Sequence, residues 1–246
     1  MNHQIPIDPR ILFSPSDWEF TGDWSFFHPS ALLPFTAHVS SVGPVGHSPI
    51  PPPASAGRLA RQLRFALEID KLKNVLRRTY VTGSGRPENS AEHTWHIVLM
   101  AVTLAEHSAF PHLDVLRVVK MLLIHDLVEI DAGDTFAYDT AGHADKRARE
   151  VTAAERLFGL LPPDQAAEFR ALWEEFEATA TPEARFALAM DRVQAVMLNL
   201  AADGGAWKEH GITLDRILAR NAVVGDAVPA VWASIQQQVT AVMSAK

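Results

Sequence analysis

VLRVVKMLLIHDLVEIDAGD, residues 115–134, decides how this chain is read. Leu116, Val118, Val119, Met121, Leu122, Leu123, Ile124, Leu127, Val128 and Ile130 leave no polar face wide enough for a surface helix. A helix that is apolar all round belongs inside a domain. Yet His125 and Asp126 stand in its middle, Glu129 follows one turn on, and Asp134 comes just after Gly133 at the helix end. A buried carboxylate without a partner costs several kcal/mol, so something must compensate it. A bound cation is the simplest partner for adjacent His and Asp side chains, and the segment reads as the floor of a metal site.

Working outward, two other oily segments carry a similar polar intrusion. A helix expected from about Glu88–Glu92 to Ser108 holds His93 and His96. Another, opened by Pro182, holds Asp191 within LAMDRVQAVML. If the three helices converge, one histidine of the first, the His125–Asp126 pair and Asp191 form a four-ligand set. Two imidazoles and two carboxylates suit a borderline divalent ion such as Mn, Co, Fe, Ni or Zn. Four protein ligands leave coordination positions open, the mark of a catalytic site rather than a structural one. Glu129 projects one turn along from His125 and Asp126, and Asp134 can lean back over the site.

The rest of the chain reads as helical from Gly57 onward. RLARQLRFALEIDKLKNVL is amphipathic, and RRTYVTGSGRP is a polar break. Ser90 is a candidate N-cap for the His93 helix. GDTFAYDTAGHA is a loop, and helices are expected over 146–160, after Pro162–Pro163, from Pro182 to the Gly204–Gly205 break, and over about 212–222 and 226–244. There is no alternating β-branched run long enough for a sheet. The fold class is therefore all-α, a helical bundle of about seven to eight helices. Residues 1–56 differ: they contain ten of the 16 prolines and no helical or strand period. They read as a poorly ordered extension ahead of one domain over 57–246.

Bulk properties narrow the function classes. The formal net charge of −7 argues against non-specific binding to nucleic acid or anionic membranes. No apolar run reaches the ~18 residues of a membrane span, no secretory signal stands at the N-terminus, and the absence of cysteine removes disulfide and thiolate chemistry and fits a cytoplasmic protein.

A first His, an adjacent His-Asp and a distant Asp resemble the HD-domain metal-dependent phosphohydrolases. LKNVLRRTYVTGSGRPENSAEHTWHIVLMA, LLIHDLVEIDAGD and ALAMDRVQ together are similar to the 5′-deoxynucleotidase (YfbR-like) branch, over roughly Leu59 to Asp203. The resemblance implies that His93, His125, Asp126 and Asp191 hold one divalent metal (Mn, Co, Mg, Zn, Ni or Fe). It implies that Glu129 and Asp134 handle the attacking water and proton transfer, and that Arg78 contacts the substrate phosphate. Read as residues, Arg77 and Arg86 are alternatives to Arg78, and His96 is a structural neighbour of the site. His107, His112, His143 and His210 have no role. Thr79 stands where some members place a tryptophan against the sugar, which leaves the sugar preference open. The expected substrate is a small phosphate ester, a (deoxy)nucleoside 5′-monophosphate. Another phosphate ester or pyrophosphate on the same site, or a nucleotide-binding protein without turnover, are the alternatives. The branch also implies that a homodimer is compatible with the large apolar helical faces.

Overall fold

The computed structural model describes residues 57–244, so the proline-rich segment 1–56 and its expected disorder lie outside the described residues. The helices are α1 (Arg58–Glu68), α2 (Ser90–Leu104), α3 (Val115–Ile124), α4 (Glu129–Ala132), α5 (Lys146–Phe158), α6 (Pro163–Ala178), α7 (Pro182–Ala201), α8 (Gly205–Glu209), α9 (Leu214–Ala227) and α10 (Pro229–Ser244). No helix among the described residues is long and apolar enough to cross a membrane.

The bundle is built around α7. Its start is set by Pro182 in the first turn and by the Thr181 side chain, which accepts a hydrogen bond from the Ala184 amide at 3.2 Å. Residues from Ala184 to Asn199 then bury most of the helix, and α2, α3, α6, α9 and α10 pack around it. Ala184, Ala187 and Ala189 let neighbours approach closely, while Phe186, Met190 and Val193 fill the space between them. Asp191, on the inner part of this helix, lies beside a cavity.

Three local features differ from the sequence expectation. The segment read as a polar break contains a small antiparallel hairpin, β1 (Leu76–Tyr80) with β2 (Pro87–Asn89). Its alternation is short: Arg77 and Thr79 turn inward while Leu76 and Arg78 are exposed. The N-cap of α2 is Asn89, not Ser90. Asn89 accepts from the Ala91 and Glu92 amides, and the Glu92 side chain returns to the Asn89 amide, a complete capping box. Third, residues 115–134 are not one continuous helix. After Ile124 the chain tightens to i→i−3 bonding, with the Leu127 amide donating to Ile124 and the Glu129 amide to Asp126. This stacks side chains three apart, so Glu129 sits over Asp126.

Candidate metal centre

His93 on α2, His125 at the end of α3, and Asp191 on α7 present ligand atoms that all lie within 4.8 Å of one another. His93 Nε2 is 3.0 Å from Asp191 Oδ1 and 3.8 Å from Asp126 Oδ2. His125 Nε2 is 3.0 Å from Asp126 Oδ1. Donor atoms bound at ~2.1 Å to one ion and at right angles are about 3.0 Å apart, so this spacing suits a shared ion.

The orientation of the rings is set from behind. His125 Nδ1 lies 2.8 Å from the Leu122 carbonyl, which can only accept, so Nδ1 carries a proton and Nε2 is the nitrogen that faces the cluster and that a metal would take. His93 Nδ1 faces Gln194 Oε1 at 3.1 Å, and the Gln194 amide nitrogen donates to Glu88 at 2.6 Å. That donation fixes which end of Gln194 meets His93, so Nδ1–H is again the donor and Nε2 points to the cluster. Both Nε2 atoms are buried and have no oriented hydrogen-bond partner. Buried polar atoms are almost always satisfied, and a divalent ion is a partner that fits the two imidazoles with Asp191; Asp126 falls outside that three-residue group, although its oxygens lie 3.0 Å and 3.8 Å from the two Nε2 atoms.

The charges agree. Burial works against the Asp126 carboxylate, but His125 and Arg77 outweigh it and hold its pKa down at about 2. Asp191 is likewise held well below the usual carboxylate range, against the cost of burial, by His93 and Arg77. His125 is pulled down by burial but pushed up further by Asp126 and Asp191, to about 9. Glu129 shows the opposite behaviour. Burial and the Asp126 charge raise its carboxyl well above the usual range, although Arg77 pulls the other way. Its Oε2 accepts a hydrogen bond from Ser90 Oγ at 2.7 Å, which ties α4 to α2. Burial also raises Asp134, again against the pull of Arg77. The turn before it requires Gly133: φ 74°, ψ 154° is a region essentially reserved for glycine, and it swings Asp134 to the cavity wall.

Arg77 was only an alternative in the sequence, yet it sits inside the cluster. Its Nη1 donates to Asp126 at 3.0 Å, and its other nitrogens lie 3.7 Å from Asp191 and 3.8 Å from Glu88. Arg78 is on the opposite face of the strand and lines the cavity from its exposed side. Arg86 is excluded from the site by its paired bonds to Glu92. Thr79 is buried and donates to Glu88 at 3.0 Å, so it serves the wall behind His93. Gln194 and Glu88 gave no signal as single residues. Gln194 does lie three residues after Asp191, on the same face of a helix, and that spacing was the available clue. His96 meets Gln194 at 3.3 Å, behind His93. His143, given no role, lines the cavity.

The cavity in front of the cluster has a volume of about 270 Å³. This is close to the ~300 Å³ lower end of small-molecule sites. Its far wall is aromatic, with Phe136, Tyr138 and Trp207.

Known proteins share both the sequence pattern and the fold. The family described as HD domain matches residues 69–232. The 5′-deoxynucleotidase HDDC2 of Bos taurus is 32% identical over 144 residues, which cover 58% of this chain and 68% of that protein. The protein of the same name from Homo sapiens is 31% identical over 144 residues, covering 58% and 69%. A crystal structure described as a predicted metal-dependent phosphohydrolase from Magnetospirillum magnetotacticum MS-1 is 50% identical, with a TM-score of 0.71 over 75% of this chain and 95% of that one.

Proposed function

This chain belongs to the HD domain family, and we propose that it hydrolyses deoxynucleoside 5′-monophosphates at one divalent ion held by His93, His125, Asp126 and Asp191. It is an enzyme, a metal-dependent phosphohydrolase. The observation that carries the site assignment is the pair of buried imidazole Nε2 atoms that converge on the Asp126 and Asp191 carboxylates, each aimed inward by the contact its Nδ1 makes.

Phosphomonoester hydrolysis is very slow without a catalyst, and the main need is charge on the phosphoryl oxygens. When bound, a divalent ion supplies such charge and makes a coordinated water easier to deprotonate. Arg78 at the cavity wall meets the phosphate, with Arg77 adding a second guanidinium from inside the cluster. Glu129, steadied by Ser90, takes the proton of the attacking water, since its raised pKa makes it a better base than an ordinary carboxylate. Asp134, also raised, stands beside it for the proton that the leaving alkoxide needs. Relatives named 5′-deoxynucleotidase support the deoxynucleotide as substrate. A cavity of about 270 Å³ matches a mononucleotide better than a polymer. Residues 57–246 form the catalytic domain, and the exposed stripe Trp95, Leu99 and Val102 on α2 is a surface for a second copy of the chain.

The test is phosphate release from a panel of 2′-deoxy- and ribonucleoside 5′-monophosphates with Mn²⁺, Co²⁺, Zn²⁺ or Mg²⁺. Release from deoxynucleotides, abolished by EDTA and restored by metal, is expected. Tight nucleotide binding with no release under any metal would refute the proposal.

A further inference from the structure

Most arginines of the described chain have a carboxylate partner. Arg58, Arg77, Arg86, Arg117, Arg147, Arg149, Arg156, Arg170 and Arg185 are all in ion pairs. Arg192 on α7 and Arg220 on α9 are not, although both line the cavity of the metal cluster. Their contacts are to neutral backbone. Arg192 Nη1 donates to the Arg220 carbonyl, and Arg220 Nη1 lies 3.4 Å from the Ala137 carbonyl, longer than a good hydrogen bond. A guanidinium offers five N–H donors, and Arg192 Nε is buried without a partner. Among the described residues, neither guanidinium has a carboxylate within ion-pair distance, although the Asp191 charge acts on Arg192 from the neighbouring position. Helix packing brings the two together from positions 28 residues apart, and Tyr138 stacks near Arg220, at 5.8 Å.

We propose that Arg192 and Arg220 form a second anion subsite in this cavity, so that the preferred substrate carries a second anionic group besides the phosphoryl hydrolysed at the metal cluster. Two like charges held side by side in a half-buried wall are stabilised by an anion between them, and a phosphate oxygen pair matches the guanidinium fork. Of the carboxylates lining the cavity, Asp126, Glu129 and Asp191 are engaged with Arg77, His93, His125 and Ser90, Asp134 is drawn by the charge of Arg77, and Glu150 and Glu177 pair with Lys146 and Arg147. This subsite rests on the reading of that cluster as the phosphoryl end of a hydrolase. Phosphate on the sugar and phosphate further along a 5′-chain are two sources of the same charge.

Calorimetry on the full chain in EDTA, where no turnover occurs, compares deoxyadenosine 5′-monophosphate, 3′,5′-bisphosphate and 5′-diphosphate. At least tenfold tighter binding of the bisphosphate or the diphosphate than of the monophosphate is expected, and which one wins says where the second charge sits. In Arg192→Gln and, separately, Arg220→Gln, the preference falls by at least tenfold. Equal affinity for all three, no binding of any, or a preference untouched by both variants would overturn the subsite. Hydrolysis with metal present is read separately. If wild-type protein releases no phosphate from any of the three, the phosphohydrolase reading fails while calorimetry still decides this one.

Discussion

Gln194→Met tests how the metal cluster is built. The side chain of Gln194 is fully buried and similar in length to methionine, so the substitution removes hydrogen bonds with little change of volume. Three contacts disappear: Oε1 with His93 at 3.1 Å, Nε2 with Glu88 at 2.6 Å, and Nε2 with His96 at 3.3 Å. His93 Nδ1 is then left unsatisfied, at about 1–3 kcal/mol, and the Glu88 carboxylate loses the hydrogen bond it accepts from Gln194, worth about 1.5–3 kcal/mol. Together the metal-free protein should lose about 2.5–6 kcal/mol of stability. Separately, His93 is no longer held in the tautomer and angle that present Nε2. Loss of such an outer partner costs about 10–100-fold in metal affinity, or ~1.4–2.7 kcal/mol. Urea unfolding with EDTA and with excess Mn²⁺ separates the two effects, because an ion that binds only the folded state adds stability set by its affinity. The EDTA baseline should fall, and the increment added by Mn²⁺ should also shrink by ~1.4–2.7 kcal/mol. A lowered baseline with the metal increment unchanged to within ~0.3 kcal/mol would mean that Gln194 only packs and does not steer a metal ligand.

Three further outcomes are expected. Asp126→Ala should lose both bound metal, by elemental analysis, and phosphate release, whereas Glu129→Gln should keep the metal and lose about 10²–10⁴-fold in kcat; full activity in either contradicts the assigned roles. Arg77→Met removes the cation that Asp126, Asp191 and Glu88 share, so unfolding in EDTA should show a loss of about 3–5 kcal/mol, partly recovered on adding metal; equal losses with and without metal would show that ion and guanidinium do not balance the same charges. His125 is held up at about 9, so in the metal-free protein it carries a proton at neutral pH that an incoming ion must displace. Metal affinity, read by chelator competition, should therefore rise by up to tenfold per pH unit until about pH 9 and then level, and a flat profile from pH 6.5 upward would remove His125 from the ligand set. The same raised pKa stabilises the metal-free fold fully below its ordinary 6.5, and that stability should fade as pH climbs through about 9.

The polar residues in oily helices were legible because burial and polarity conflict along one dimension. His125 and Asp126 interrupt a run that has no wet face, and His93 and Asp191 do the same in two other helices. Sequence alone thus determined the all-α class, and it singled out the residues proposed for the ion. It did not determine which neighbour does what. Arg77 and Arg78 are chemically identical in the text, and only the pleat of a five-residue strand turns one into the cluster and the other to the outer wall. Ser90 reads as a helix cap, and only the approach of α4 makes its hydroxyl a partner of Glu129. Gln194 is an unremarkable amide until α2 brings His93 against it. Arg192 and Arg220 meet only where α7 packs on α9. Tertiary structure decided these because hydrogen-bond direction and charge compensation depend on distances between segments, which a linear pattern of apolar and polar residues does not contain.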